Sequence, residues 1–483
     1  MPILRLVAEG VGPFEKLDLD LSDGKGNPHL GPHILAGVNG AGKSTVLKTI
    51  AWVLDETQKG FDLGDWQHSL TGHEVSRALL VVEDVYARSD VQSAGSIRTR
   101  AGLKELAAWV ESCGVGHLAT LNTAILAGVP FSPEPPPAIL RFLSTGGPIP
   151  LVWLGRGDVE RSLSAPSSLL GSVAAYTPSR RLKYLANPDL TKSPSSAFEN
   201  ALAFGDTVQN ELVQSWLVGL HSKQAIALQM NQPAEEYSQA LARFESALRL
   251  IYEDRFRVVP QLKPGLHPRL QVGNQSLNFS QVADGIRCTI GWLSDFMMRQ
   301  DLMQWDARLK GKRPGVLLLD EVDAHLHPQW QRTLLPAMRE ALPDVQIIVT
   351  SHSPFVISSC PGSRVHVLDI DQYGRASLKQ SRDAPVGDDV MTTLDGIFGI
   401  ESRFDVETER ELDEWNELKK MEVVGRLDSE GAERLSNLSQ GLSRRSELLK
   451  SIVGDPVPLP LKRKPSAGHN GKAKPVARKA RAR

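Results

Sequence analysis

Cysteine is scarce in this chain. Three occur in 483 residues, Cys113, Cys288 and Cys360, and they lie far apart. Their spacing forms neither a metal-ligand pair nor a disulfide framework, which fits a reducing compartment. Long apolar runs are also missing. No stretch of about 18 apolar residues occurs, so no membrane span is predicted. The opening Met1-Pro2-Ile3-Leu4-Arg5 lacks the layout of a secretory signal, and the expected location is the cytoplasm. Net charge is almost nil, with 55 Lys and Arg against 56 Asp and Glu, which excludes a wholly basic nucleic-acid binder. Neither a solenoid repeat nor a long heptad array is present, excluding a repeat protein and an extended coiled-coil arm. What remains is a chain with 41% hydrophobic and 23% charged residues, enough for packed cores in several structural units.

The near-zero charge is a sum of unlike parts. Residues 461–483 hold nine basic residues and no acid, leaving 46 basic against 56 acidic residues in 1–460. An acidic body therefore carries a basic tail, 456–483, which is expected to be disordered alone. The tail is a candidate for salt-sensitive contact with DNA or RNA.

Periodicity divides the rest. Phe14, Leu17, Leu19 and Leu21 are separated by acids, as in a half-buried strand, and Ser22 to Pro28 supplies turn residues. His33 to Ala36 is apolar and runs into glycines. Val46, Leu47, Ile50, Ala51 and Leu54 then take helical spacing. Ala78 to Glu83 reads as another strand. Over 85–274 the pattern predicts a mainly helical insertion, with one clear face at Tyr237, Leu241, Phe244, Leu248 and Ile251. From Leu277 the α/β texture returns. Ile286, Ile290, Leu293 and Met297 share a helical face, while Val316–Leu319, Val345–Thr350 and Val365–Ile370 are apolar strands. Residues 405–452 read as two charged helices with Leu435, Leu438, Leu442, Leu449 and Ile452 on one stripe. The expected divisions are an N-terminal lobe 1–84, an insertion 85–274, a C-terminal lobe 275–400, a helical hairpin 401–455 and the tail.

Three motifs carry chemistry. Gly37-Val38-Asn39-Gly40-Ala41-Gly42-Lys43-Ser44-Thr45 matches G-x-x-x-x-G-K-[ST] between a predicted strand and a predicted helix. Glycines let backbone N–H groups curl around phosphate oxygens at the positive end of the helix. Lys43 reaches the β- and γ-phosphates, and the Ser44 hydroxyl is a Mg²⁺ ligand. Val316-Leu317-Leu318-Leu319-Asp320-Glu321 is a buried strand that delivers two carboxylates at its C-terminal end, where α/β sheets bind ligands. There Asp320 is placed to hold Mg²⁺ and Glu321 to polarise water. Thr350-Ser351-His352-Ser353-Pro354 follows another apolar strand, putting a histidine at the same sheet edge.

Together with Leu-Asp-Glu-Val-Asp-Ala-His-Leu-His-Pro-Gln-Trp-Gln at 319–331, these motifs resemble the ABC-type ATPase head. More narrowly they are similar to the AAA-family ATPases related to Rad50, RecF and SMC heads. That set includes the ATPases of Septu-type anti-phage systems and of overcoming-lysogenization nucleases. The resemblance covers roughly 1–60 and 277–358. It implies an α/β P-loop NTPase of ABC-head type, split by an insertion and followed by a C-terminal helical segment. It implies ATP and Mg²⁺ held by Asn39, Gly40, Ala41, Gly42, Lys43, Ser44 and Thr45, with Asp320 as the Walker B acid. Glu321 is then the catalytic base and His352 the switch histidine. Gln67 is the only candidate for the glutamine that approaches the metal. ATP is implied to lie between two heads, making a homo-oligomer, with Asp284 and Gly285 of the second head's signature at the nucleotide. Ala283 stands where that signature usually has serine, which predicts slow hydrolysis while backbone N–H groups still bind phosphate.

Lys43 and Asp320 are 277 residues apart, more than a compact transporter subunit needs, so the insertion is expected to bind a partner or sense a signal. Asp369-Ile370-Asp371 is a D-x-D, but only 131 residues follow His352. No nuclease is expected within this chain, and an effector nuclease or toxin is expected to be a separate protein. Ser179-Arg180-Arg181-Leu182-Lys183-Tyr184 is open to three readings, a nucleic-acid contact, a solvated loop or a contact to the head itself. The leading function is an ATPase that senses or gates in a prokaryotic defence complex. The alternatives are a RecF- or Rad50-like ATPase of DNA repair and a scaffold that scarcely hydrolyses ATP.

Overall fold

Strands with alternating burial and strands buried on both faces meet in one sheet. The computed structural model describes residues 2–25, 27–54, 77–83, 112–113, 123–128, 140–145, 151–154, 171–183, 185, 196–205, 207–253, 256–261, 267–305, 307–400 and 404–454. Gln67, Tyr184 and the tail lie outside them. The strands are β1 (Ile3–Val11), β2 (Phe14–Asp20), β3 (His33–Gly37), β4 (Arg77–Glu83), β5 (Thr123–Gly128), β6 (Leu140–Thr145), β7 (Leu151–Leu154), β8 (Ser172–Tyr176), β9 (Arg257–Gln261), β10 (His267–Val272), β11 (Gln275–Leu277), β12 (Gly315–Leu319), β13 (Val345–Thr350), β14 (Arg364–Ile370) and β15 (Ala376–Asp383). The helices are α1 (Lys43–Leu54), α2 (Asn210–Gln229), α3 (Glu235–Tyr252), α4 (Asp284–Leu302), α5 (Pro328–Ala341), α6 (Pro354–Ile357), α7 (Val390–Phe398), α8 (Val406–Val423), α9 (Ser429–Arg445) and α10 (Glu447–Val453).

The main sheet runs β7-β6-β5-β4-β1-β2-β15-β14-β3-β13-β12-β8, and β9 to β11 form a separate small sheet. Its centre is parallel: β14, β3, β13, β12 and β8 all point the same way. The continuous apolar runs are explained by the two covers of this centre. Leu35, Val316, Leu318 and Ile348 pack with Val46, Leu47 and Ile50 of α1. Their neighbours in sequence, Ile34, Leu317, Leu319, Ile347 and Val349, pack on the other face with Ile286 and Ile290 of α4 and Leu334 and Leu335 of α5. Alternate side chains of one strand thus enter opposite cores, so neither face is left for polar residues.

The stretch 85–274 departs from the expected helical insertion. Its described residues include α2 and α3, but β5, β6 and β7 extend the main sheet antiparallel from β4. β8 lies parallel to β12 with Tyr176 opposite Leu319, so it belongs to the parallel centre of the sheet. Its Ser-Val-Ala-Ala-Tyr sequence is short and buried throughout, and gives no polar–apolar alternation by which to read it. A buried polar hub fixes β8 to α4. Tyr176 Oη donates to Asp295 Oδ2 at 2.7 Å, and Arg299 Nε donates to the same oxygen at 2.7 Å. The other nitrogens of Arg299 bond the carbonyls of Ala197, Glu199 and Thr207.

The chain divides into two units, Met1–Gly399 and Ile400–Arg483. The second holds three described helices where two were expected, because Ser446 ends α9 and caps α10. Its core is Leu412, Trp415, Leu435, Leu438, Leu442, Leu449 and Val453, whereas Ile452 is exposed. No helix among the described residues is long and apolar enough to cross a membrane.

One buried histidine pair is expected to link the stability of the first unit to pH. His33 on β3 and His366 on β14 are fully buried, with Nδ1 and Nε2 3.1 Å apart. Burial pushes both rings far below their ordinary range, His366 to about 3 with Arg364 adding to the effect, and His33 with His366 and His29 adding. Both are neutral when folded and protonate near pH 6.5 when unfolded. The stability they protect is present above about pH 6.5 and is lost as pH falls, by up to about 1.4 kcal/mol per pH unit and ring. Urea unfolding at about pH 7.5 and about pH 5 checks this: His366→Gln is expected to lose less stability on acidification than the native chain.

Candidate active site

The phosphate-loop residues lie between β3 and α1, and close packing requires its glycines. Gly37 has φ +147, and a Cβ there would sit 2.2 Å from the Leu368 carbonyl oxygen. Gly42 has φ +83, and a Cβ would sit 2.5 Å from the Phe14 ring. Gly40 also has φ +83, a conformation glycine adopts at no steric cost. Asn39 and Gly40 are exposed at the loop tip, while Ala41 is buried below. Lys43 is 7% exposed, and its Nζ donates to the carbonyls of Gly37 at 3.0 Å and Val38 at 2.9 Å. Burial lowers its pKa, and the nearby Asp320, Glu321 and Asp323 oppose that. Ser44 and Thr45 open α1, with Val46 N bonded to the Gly42 carbonyl at 3.0 Å.

The β3-β13-β12 order brings three strand ends together. Asp320 is buried, and its Oδ1 accepts from Ser44 Oγ at 2.9 Å and from Thr350 Oγ1 at 2.6 Å. Thr350 Oγ1 also accepts the Glu321 amide at 2.7 Å. The exposed Glu321 has φ +44, a costly conformation for a residue with a Cβ. His352 follows at the end of β13 and stacks on Phe398, with ring centroids 6.4 Å apart and 17° between planes. Burial and Lys43 lower its pKa, against the pull of Asp323, Glu321 and Asp320. Hydroxyl and carboxylate oxygens here are the hard donors that suit Mg²⁺.

The signature residues are joined differently. Asp284 pairs with Arg287 and, at 3.2 Å, with Arg181, and its carboxyl is held below the usual range, first by the Arg287 hydrogen bond. Gly285 is buried, and a Cβ there would meet the His325 carbonyl oxygen at 2.2 Å. Its small size therefore serves packing against the chain's own segment after β12. Ala283 is the N-cap of α4 and makes no side-chain capping bond.

For Arg180, the reading of 179–184 as a contact within the chain itself agrees with the structure. The nucleic-acid reading of 179–184 does not hold for it, because its side chain is buried and bonds the carbonyls of Thr177, Asp320 and Glu321. The sequence marked it only as one of two adjacent arginines in a basic stretch, which does not tell a buried guanidinium from an exposed one. Sequence reading missed Phe398. The D-x-D acids have structural partners: Asp369 lies 3.7 Å from Lys379, and Asp371 Oδ1 accepts the Tyr373 and Arg375 amides in the β14–β15 turn.

Residues 153–358 match a protein-family profile described as "AAA domain, putative AbiEii toxin, Type IV TA system". The Septu protein PtuA of Bacillus thuringiensis is 34% identical over 124 residues, which are 24% of this chain and 31% of that protein. The Retron Vc95 probable ATPase of Vibrio cholerae serotype O1 biovar El Tor is 20% identical over 411 residues, 75% of this chain and 73% of the relative. The Retron Ec83 probable ATPase of Escherichia coli is 30% identical over 103 residues, 21% of this chain and 19% of that one. The match to PtuA thus spans about a third of that relative's length. Among solved structures, an SMC head bound to the C-winged helix domain of ScpA overlaps 79% of this chain and 98% of that one, with TM-score 0.46 and 12% identity. The Thermotoga maritima SMC head domain overlaps with TM-score 0.39 and 14% identity. The chain is thus similar in sequence to parts of Septu PtuA and of the retron ATPases.

Two substitutions test the local geometry. Gly37→Ala is expected to displace the phosphate loop from Leu368 and to abolish binding of a fluorescent ATP analogue. Ala283→Ser is expected to supply the missing cap and raise the unfolding free energy by about 0.5–2 kcal/mol, measured in urea.

Proposed function

We propose that this chain is an ATPase that works as a pair of heads in a prokaryotic anti-phage defence complex. The observation that carries the reading is the convergence of Ser44, Asp320 and Thr350 beside the phosphate loop, with Glu321 next in sequence. The Septu and retron names of its relatives support the defence setting. In this reading the complex also holds a separate nuclease or toxin, whose action the heads gate.

ATP is the substrate. Backbone N–H groups of 39–45 cradle its phosphates, and Lys43 leaves the carbonyls of Gly37 and Val38 to reach the terminal ones. Ser44 and Asp320 hold Mg²⁺, which when bound neutralises phosphate charge. Glu321 accepts a hydrogen bond from the attacking water and aims it in line with the γ-phosphoryl group. His352, whose charged form burial and Lys43 disfavour, donates a hydrogen bond toward the same group and registers its loss. Asp284 and the first turn of α4 face the nucleotide of the second head. Ala283 supplies no hydroxyl there, so turnover is slow and the ATP-bound pair is long-lived, as suits a switch. The basic tail is a further candidate for nucleic-acid contact.

Glu321→Gln is expected to bind ATP, to lose at least about a hundredfold in kcat, and to stay paired with ATP. Light scattering of the full chain checks the pairing. A mass unchanged by ATP in both the native chain and Glu321→Gln contradicts the two-headed reading. Lys43→Ala is expected to lose ATP binding and pairing together.

A further inference from the structure

The stretch around Arg180 lies between α4 and the end of β12. On one side, Arg180 Nη1 donates to the carbonyls of Thr177 at 2.9 Å and Asp320 at 2.5 Å, and Nη2 to that of Glu321 at 3.1 Å. The residue is 3% exposed. On the other side, Leu182 N donates to the Arg287 carbonyl at 3.2 Å. A Cβ added at Gly291 of α4 would lie 2.5 Å from the Arg180 carbonyl oxygen. The stretch therefore has no room to slide between helix and strand.

Glu321 sits at φ +44, and such a conformation persists only where neighbours over-determine it. Its two flanking peptides are each held: the amide by Thr350 Oγ1 at 2.7 Å and the carbonyl by Arg180. The next left-handed residue, His325 at φ +63, is reached by Arg181, with Nη2 3.5 Å from His325 Nε2. Two consecutive arginines thus engage both left-handed residues of the segment after β12.

We infer that Arg180 is a positioning residue, which holds the left-handed backbone of Glu321 and so fixes the direction of its carboxylate. The inference rests on the reading of Glu321 as the group that aims the attacking water. A planar guanidinium spans the successive carbonyls of Asp320 and Glu321 at once, whereas an ammonium is a single point of charge on a flexible stem. Lysine at 180 keeps the positive charge and loses the fork.

The test is a two-by-two comparison on the full chain: native, Arg180→Lys, Glu321→Gln and the double variant. Single-turnover rates, ATP affinity and melting temperature are measured for each. Arg180→Lys is expected to lower the rate at least about tenfold with ATP affinity changed less than about threefold, the split of a residue acting on the chemical step. In the Glu321→Gln background the same substitution is expected to lower the rate no further. An equal loss in both backgrounds overturns the inference while leaving the reading of Glu321 intact, as does parallel loss of affinity and melting temperature in Arg180→Lys. Native turnover by Glu321→Gln alone overturns that reading, and the inference with it.

Discussion

A single oxygen, Oδ1 of Asp320, accepts hydrogen bonds from Ser44 and Thr350. It ties the phosphate loop, β12 and β13 into one geometry. Asp320 is almost fully buried, and a buried carboxylate is tolerated only with such partners. Each partner stands at the end of a different element: Ser44 in the first turn of α1, Asp320 after β12, Thr350 at the close of β13. Shifting β12 or β13 by one residue would swap its two side-chain sets between the cores and break this convergence. Register in the sheet and chemistry at its edge are therefore one constraint.

The same edge concentrates costly backbone. Glu321 and His325 are left-handed without being glycine, and Gly37, Gly42 and Gly285 leave no space for a Cβ. The stable parts that hold these features are the double-sided core of β3, β12 and β13 and the buried hub of Tyr176, Asp295 and Arg299. Fixed dipoles and carboxylates in such a frame need little reorganisation during reaction.

Much of this was legible in the sequence. Strands buried on both faces leave continuous apolar runs, and the G-x-x-x-x-G-K-S loop needs its glycines at fixed spacing, so β3, β12, β13 and their end residues could be read directly. β8 could not, because Ser172 to Tyr176 is only five residues, all buried, with no polar–apolar alternation. Its pairing with β12 spans more than a hundred positions, a separation that local periodicity does not register. Arg180 could be singled out only as part of a basic stretch, for a related reason. A buried arginine and a surface arginine are the same letter, and the carbonyls that hold it lie about 140 residues away. Gly285 was recognised by its motif, yet its close approach to His325 depends on how α4 packs. In the second unit, Leu435, Leu438, Leu442 and Leu449 followed the predicted stripe, while the break at Ser446 turned Val453 inward in place of Ile452.

The central claim is that Asp320 organises a nucleotide-hydrolysing site. Phosphate release by the full chain in ATP and Mg²⁺, compared between the native protein and Asp320→Asn, tests it most directly. The account predicts magnesium-dependent turnover in the native chain and a loss of at least about a hundredfold in Asp320→Asn with the fold intact. Equal turnover in the two proteins would contradict it.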